Sequence, residues 1–243
     1  MISVHELTIK INKKPLIENL NIAFDQGEFW AVIGKNGTGK TTLLNTIAGF
    51  NDYEQGSILI NGKKLEAFDG LSKAQSIAFL PQLLEASLDC SIEQSIKYGR
   101  YPWHQKHSEK QDVIAVEDAI QEMELNEVRG KSIQQISGGE LRKVEIATVL
   151  AQDSEIMILD EPLNHLDLAM RYKLMLKLKK LSKNKTIIIV THDIQYVQEY
   201  CTHVLMLTDS ANILAGKVKD IMTSANLNMV LGIPKSKENI YEK

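Results

Sequence analysis

The stretch Gly34-Lys35-Asn36-Gly37-Thr38-Gly39-Lys40-Thr41 restricts the possible folds of this chain more than any other segment. It fits G-x-x-x-x-G-K-S/T at every required position. The apolar run Phe29 to Ile33 leads into it, and Thr42 to Ala48 reads as the helix leading out. Strand, glycine-rich turn and helix in that order make backbone N–H groups converge at a helix N-terminus, where the macrodipole already favours an anion. Lys40 then reaches the β- and γ-phosphates of a nucleotide, and the Thr41 hydroxyl is suited to Mg²⁺. The alternative, a glycine-rich turn with a chance lysine, does not account for the full pattern and both flanks.

Composition restricts the setting. The chain has 243 residues, 44% apolar and 24% charged, with 28 Lys+Arg against 31 Asp+Glu for a formal charge of −3. That balance excludes a disordered chain and gives no electrostatic reason to expect nucleic acid as partner. The length suits one large domain, or one with an inserted subdomain, burying roughly three quarters of its extended surface. No apolar stretch approaches the roughly 18 residues of a membrane span. The start, Met1 to Glu6, lacks a basic region followed by an apolar one, so export is not expected. The two cysteines, Cys90 and Cys201, form no framework and fit a reducing cytosol.

Periodicity predicts strands over Ile2 to Ile11, Leu20 to Phe24, Phe29 to Ile33 and Ser57 to Ile60, with a tight antiparallel turn at Asn61-Gly62. From about Ser91 the pattern turns helical, with Ile114, Ala115, Asp118, Ala119, Glu122 and Met123 at helical spacing. After Ser154 strands and helices alternate: Ile156 to Leu159, a helix over Leu168 to Leu181, Thr186 to Val190, a helix from Asp193, then Val204 to Thr208. Such alternation predicts an α/β fold with a parallel sheet covered by helices, and the helical stretch of about 82–153 reads as an inserted subdomain.

Two further constellations bear on chemistry. The apolar run Ile156 to Leu159 ends in Asp160-Glu161. A buried strand delivering two carboxylates to its end calls for a cation in compensation. Beside a phosphate loop, Asp160 is suited to support Mg²⁺ and Glu161 to orient and polarise an attacking water. Ser137-Gly138-Gly139-Glu140 opens a helix carrying Leu141, Val144, Ala147 and Ala151 on one face, a second N-terminus able to face an anion. By itself that is more often a plain helix cap, but it lies just upstream of Asp160-Glu161, with Thr191-His192-Asp193 beyond.

With these motifs in order, the chain resembles the ATPase subunit of ATP-binding cassette (ABC) transporters over nearly its whole length. Gly34 to Thr42 looks like the Walker A loop, and Gln82, after Leu80-Pro81, like the Q-loop glutamine. Ile136 to Glu140 is similar to the LSGGQ signature, and Ile156 to Glu161 to Walker B with the catalytic glutamate. Asp167, in Asn164-His165-Leu166-Asp167, looks like the D-loop aspartate, and His192 stands at the switch histidine. The resemblance implies a P-loop NTPase of ABC ATPase type: a mixed sheet core, an antiparallel β subdomain and a helical subdomain inserted at about 82–153. One domain would cover 1–233, followed by a polar tail over 234–243.

It also implies ATP and Mg²⁺ as cofactors, the metal held by Thr41, Gln82 and Asp160. Two chains would pair head-to-tail, each ATP lying between Walker A of one copy and Ser137-Gly138-Gly139 of the other. Glu161 would polarise water, His192 would contact the γ-phosphate, and Gln82 would couple the site to transmembrane permease subunits. Those would receive cargo from an extracytoplasmic binding protein, placing this chain on the cytoplasmic face of the membrane. Two departures stand out. No aromatic occupies the position expected to stack on adenine, here Ile11, and losing such a stack costs on the order of 1–3 kcal/mol in nucleic-acid binding. That puts base selectivity and ATP affinity in question. Glu140 replaces the usual glutamine of the signature, with a minor effect expected.

The run Tyr98-Gly99-Arg100-Tyr101-Pro102-Trp103 looks like the ATPases of iron-siderophore, haem and cobalamin importers; an ordinary helix end with a turn packing Trp103 is compatible with it. A soluble ABC ATPase with an assembly role and no permease is the alternative in another class. An unrelated P-loop kinase or GTPase is opposed by Ser137-Gly138-Gly139, by His192 and by the lack of an Asn-Lys-x-Asp motif. His104 and His107 near Cys90 read as solvated rather than as metal ligands. Packing is the expectation for Cys201 and His203. The run Lys177 to Lys183 reads as an amphipathic helix end whose lysines complement the dipole.

Overall fold

In the computed structural model, residues 1–12, 14–82, 89–208 and 213–232 are described. The tail expected over 234–243 and part of the stretch 82–153 lie outside them. The strands are β1 (Ile2–Ile11), β2 (Lys14–Phe24), β3 (Phe29–Gly34), β4 (Gln55–Ile60), β5 (Lys63–Lys64), β6 (Ile77–Leu80), β7 (Ile156–Asp160), β8 (Thr186–Val190), β9 (His203–Leu207) and β10 (Ile213–Lys217). The helices are α1 (Lys40–Ile47), α2 (Gly70–Ser76), α3 (Ile92–Tyr98), α4 (Glu109–Glu122), α5 (Gly138–Gln152), α6 (Leu168–Leu181), α7 (Ile194–Tyr200), α8 (Val218–Ile221) and α9 (Ser224–Leu231). The chain divides into two compact units: one of Met1–Ala67 with Lys177–Lys243, the other Phe68–Leu176.

The first unit holds an antiparallel sheet in the order β2-β1-β4-β5. The turn predicted at Asn61-Gly62 closes β4 on β5, pairing Ile60 with Lys63. Both turn residues have positive φ, 49° and 79°, as a tight hairpin between right-twisted strands needs. In β1 the inward residues run Ile2, Val4, Leu7, Ile9, so the alternation slips by one after Val4. The register shifts there and Glu6 takes a φ of 48°, a bulge that keeps the apolar set on the inner face.

The same unit holds strands in the order β10-β9-β3-β8. β3 runs parallel to both β8 and β9, and β10 returns antiparallel. Every residue of β3 and β8 is buried, which is why both read as continuous apolar runs rather than alternating ones. In the second unit β6 lies parallel to β7, with Leu80 opposite Leu159, and the helices α3, α4 and α5 intervene between them in the chain. β6, β10 and α9 have no counterpart in the sequence reading, and β2 begins at Lys14, ahead of the expected Leu20. Its first half alternates weakly and presents polar Glu18 and Asn19 outward, so the pattern is legible only with β1 beside it. Among the described residues, no helix is long and apolar enough to cross a membrane.

Candidate functional site

Buried strand β3 delivers its last residue, Gly34, into a space that no side chain could share. A Cβ there would lie 2.6 Å from the Leu207 carbonyl oxygen and 2.8 Å from Thr38 Oγ1. Gly37 and Gly39 take φ of 83° and 94°, open to glycine at little cost. The loop wraps around its own lysine: the Lys40 ammonium, with the residue only 6% exposed, donates to the carbonyls of Gly34 at 3.0 Å and Lys35 at 2.7 Å. Thr38 Oγ1 donates to the Lys35 carbonyl at 3.0 Å. Gly39 caps α1 without a side-chain hydrogen bond, and no acidic residue stands in that helix's first turn. Asn36 and Gly37 are exposed, while Thr41 and Thr42 are half-buried. A cationic, backbone-lined loop at a helix N-terminus with no acidic residue in its first turn suits a polyphosphate.

His192 follows β8 and is exposed. Because β8 pairs with β3 in parallel, Val190 opposite Val32, His192 and the phosphate loop leave the same end of adjacent strands. The Thr191 amide donates to the Val32 carbonyl, and Asp193 caps α7 by accepting from the Gln195 and Tyr196 amides. This is the carboxyl end of a parallel sheet, where ligands of α/β folds bind.

In the second unit, β6 and β7 likewise carry their motif residues out of one end. Gln82 is exposed two residues beyond β6, and Asp160, at 0% exposure, closes β7. Glu161 takes a φ of 49°, unusual away from glycine, and accepts from the Asn164 side-chain amide. Arg142, a residue the sequence reading passed over, reaches all three of these segments from α5. Its sequence signal is a charge at i, i+4 and i+7 spacing with the apolar Ile146 and Val149, all three buried.

The signature turn is a capping box. Ser137 Oγ accepts from the Glu140 amide at 3.2 Å, while the Glu140 carboxylate accepts from the Ser137 amide at 2.9 Å and hydroxyl at 2.8 Å. Those bonds, the backbone one foremost, hold the Glu140 carboxyl below the usual glutamate value. The spacing S-x-x-E is present in the sequence, and Glu140 fills at N3 a capping position that a glutamine also fills, as Gln94 and Gln111 do in α3 and α4. Gly138 faces open space, whereas a Cβ on Gly139 would lie 3.0 Å from the His165 carbonyl oxygen. The signature turn thus packs on the segment carrying Asp167. The Asp167 carboxylate accepts from the Met170 amide at 2.9 Å, which holds it below the usual aspartate range.

The remaining candidates are accounted for by packing. Arg100 is 5% exposed and donates to Asp112 and to the Ala151 carbonyl, while Trp103 Nε1 donates to the Gln152 carbonyl at 2.6 Å. A Cβ on Gly99 would meet the Thr148 carbonyl oxygen at 2.4 Å. His104 stacks on Tyr101, and His107 stacks on Trp103 with Nδ1 against Arg100. Cys201 is buried, which pushes its thiol up, and His203 stacks on Trp30. Lys179 donates to the Glu199 carbonyl and lies over the Tyr200 ring. At the expected base position, Ile11 is 48% exposed at the end of β1. An apolar side chain does meet the phosphate loop: Leu16 lies where a Cβ on Gly39 would come within 2.5 Å of it.

Comparison with known proteins bears on the family and the fold. The family model described as ABC transporter matches residues 17–164. The petrobactin import ATP-binding protein YclP of Bacillus subtilis (strain 168) is 29% identical over 95% of this chain and 92% of its own length. The achromobactin transport ATP-binding protein CbrD of Dickeya dadantii (strain 3937) is 32% identical over 96% of this chain and 88% of its own. A solved structure of an inward-facing metal-chelate type ABC transporter superposes with a TM-score of 0.80 at 26% identity, over 96% of this chain and 89% of that one. The motif order, the fold and these likenesses place the chain in the ABC transporter family, as one of its ATPases.

Proposed function

We propose that this chain energises a membrane importer of metal chelates of the iron-siderophore, haem or cobalamin type. It acts as a head-to-tail homodimer on separate permease subunits, at the cytoplasmic face of the membrane, with cargo handed on by an extracytoplasmic binding protein. The observation that carries the reading is the phosphate loop closed around Lys40, in a chain similar along nearly its whole length to proteins named for petrobactin import and achromobactin transport.

The backbone of Gly34 to Thr42, including Lys35, Asn36 and Thr38, cradles the ATP phosphates, and Lys40 neutralises their charge. Thr41, Gln82 and the buried carboxylate of Asp160 are hard oxygen donors of the kind Mg²⁺ prefers. When bound, that ion neutralises charge on the β- and γ-phosphate oxygens. Glu161 orients and polarises the attacking water, and His192 contacts the γ-phosphate. Ser137, Gly138 and Gly139 of one copy close on the ATP held by the other, with Asp167 beside the pair of sites. Gln82 and the helical stretch around it dock on the permease.

Replacing Glu161 by Gln is expected to abolish nearly all hydrolysis while ATP binding, measured by equilibrium dialysis, survives; unchanged turnover overturns the assignment. Purification from detergent-solubilised membranes tests the wider reading. A stoichiometric multi-span partner supports the importer, and a purely soluble pool supports an assembly role.

A further inference from the structure

Arg142 lies on α5 beyond the signature turn, and its side chain points inward, 3% exposed. Nη1 donates to the Pro81 carbonyl at 3.1 Å and to the Glu145 carboxylate at 2.8 Å. Nη2 donates to the carbonyls of Asp160 and Glu161 at 2.8 Å each. Nε is buried and has no hydrogen-bond partner among the described residues. Burying a guanidinium is costly, and for stability alone an apolar side chain of similar volume serves as well or better. Glu145 compensates the charge, but the other three acceptors are backbone carbonyls of the segments that carry Gln82, Asp160 and Glu161. The carbonyls of Asp160 and Glu161 share one nitrogen, which fixes the peptides flanking a residue held at a φ of 49°. A left-handed backbone away from glycine persists only where its surroundings over-determine it.

We propose that Arg142 is a positioning residue for hydrolysis. It holds the backbone at Asp160-Glu161 so that the Glu161 carboxylate is aimed for water activation. It also ties that backbone to Pro81, so that displacement of the Gln82 segment is felt at Glu161. This rests on the reading of Glu161 as the residue that activates water.

The test compares Arg142→Met, Arg142→Lys and Glu161→Gln in the purified full chain by turnover with MgATP, ATP affinity without Mg²⁺, and thermal unfolding. Misplacing a reacting group by about 1 Å costs about 100-fold, so Arg142→Met lowers kcat by about that factor while ATP affinity stays within about twofold. Arg142→Lys keeps the charge opposite Glu145 with fewer directed donors, and recovers about tenfold of the loss. Wild-type kcat in folded Arg142→Met overturns the proposal; if that variant does not fold, wild-type kcat in Arg142→Lys does so. An equal fall of kcat and ATP affinity, or loss of fold in both variants, also overturns it, because the role is then structural. Glu161→Gln separates the two readings. Wild-type turnover there removes the role of Glu161 itself. Its loss beside wild-type turnover in Arg142→Met removes only that of Arg142.

Discussion

At the N-terminus of α1 the cap is Gly39, left-handed and without a side-chain hydrogen bond, whereas α5 opens on Ser137, locked reciprocally to Glu140. Both helices present glycines and a positive dipole end, the arrangement that suits an anion. They differ in what satisfies that end before any ligand arrives. The first turn of α1 holds no acidic residue, and its nearby cation, Lys40, is spent on the loop's own carbonyls. The first turn of α5 carries its own carboxylate, bonded to the Ser137 amide and hydroxyl. On the proposed reading the phosphate loop therefore gains most from its ligand, while the signature turn satisfies part of its own helix end and leaves Ser137 and Gly138 exposed to an anion.

That contrast can be broken experimentally. The largest effect is expected for Lys40→Met, which removes the charge at the centre of the loop. By analogy with loss of one positioned donor to a developing anion, kcat/KM for ATP should fall by about 100-fold or more. Stabilisation by added ATP in thermal unfolding should vanish with it. Wild-type kcat/KM would show that the loop does not depend on its lysine. Ser137→Ala strikes the other terminus. Losing the cap costs about 1 kcal/mol, or about 2–4 °C in Tm for a chain of this size, already without ATP.

The Glu140 carboxyl supplies a pH test of the same asymmetry. Its value in the folded chain lies below the ordinary 4.5, so its contribution is present above that value and is lost as pH falls through the folded one. Hydrogen exchange of the first-turn amides of α5 should accelerate in that window, while those of α1 do not change with it. The smallest effect is expected from Ile11→Tyr. Restoring an aromatic at an exposed strand end should tighten ATP by about fivefold, the lower end of a stacking contribution, and raise the preference for ATP over GTP in competition binding. Equal hydrolysis of ATP and GTP by the natural chain would mark a loose base site.

Much of this molecule was legible without coordinates because its motifs are local. Gly34 to Thr41 needs only a strand, a turn and a helix in succession, and the sequence pattern shows all three. β8 and α6 match their predicted bounds, Thr186–Val190 and Leu168–Leu181, since a fully buried strand and a long periodic helix carry the strongest patterns. β6, four residues long, is not legible in the sequence, because so short a run shows no period before its partner β7 is beside it. Leu16 against the phosphate loop is illegible for a similar reason: its neighbour Gly39 is distant in the chain. The Tyr98 to Trp103 run is legible as a motif, but spacing alone does not show its burial of Arg100 against the end of α5.

The sequence by itself therefore determined which chemistry this protein carries, since phosphate cradling, an acidic strand end and a capped glycine turn each depend on neighbours a few residues apart. Only the tertiary structure decided how those pieces are held in place. A buried guanidinium finds acceptors for its two terminal nitrogens among carbonyls that the fold brings within 3.1 Å. For Arg142 those belong to Pro81, Asp160 and Glu161, segments that no local pattern links.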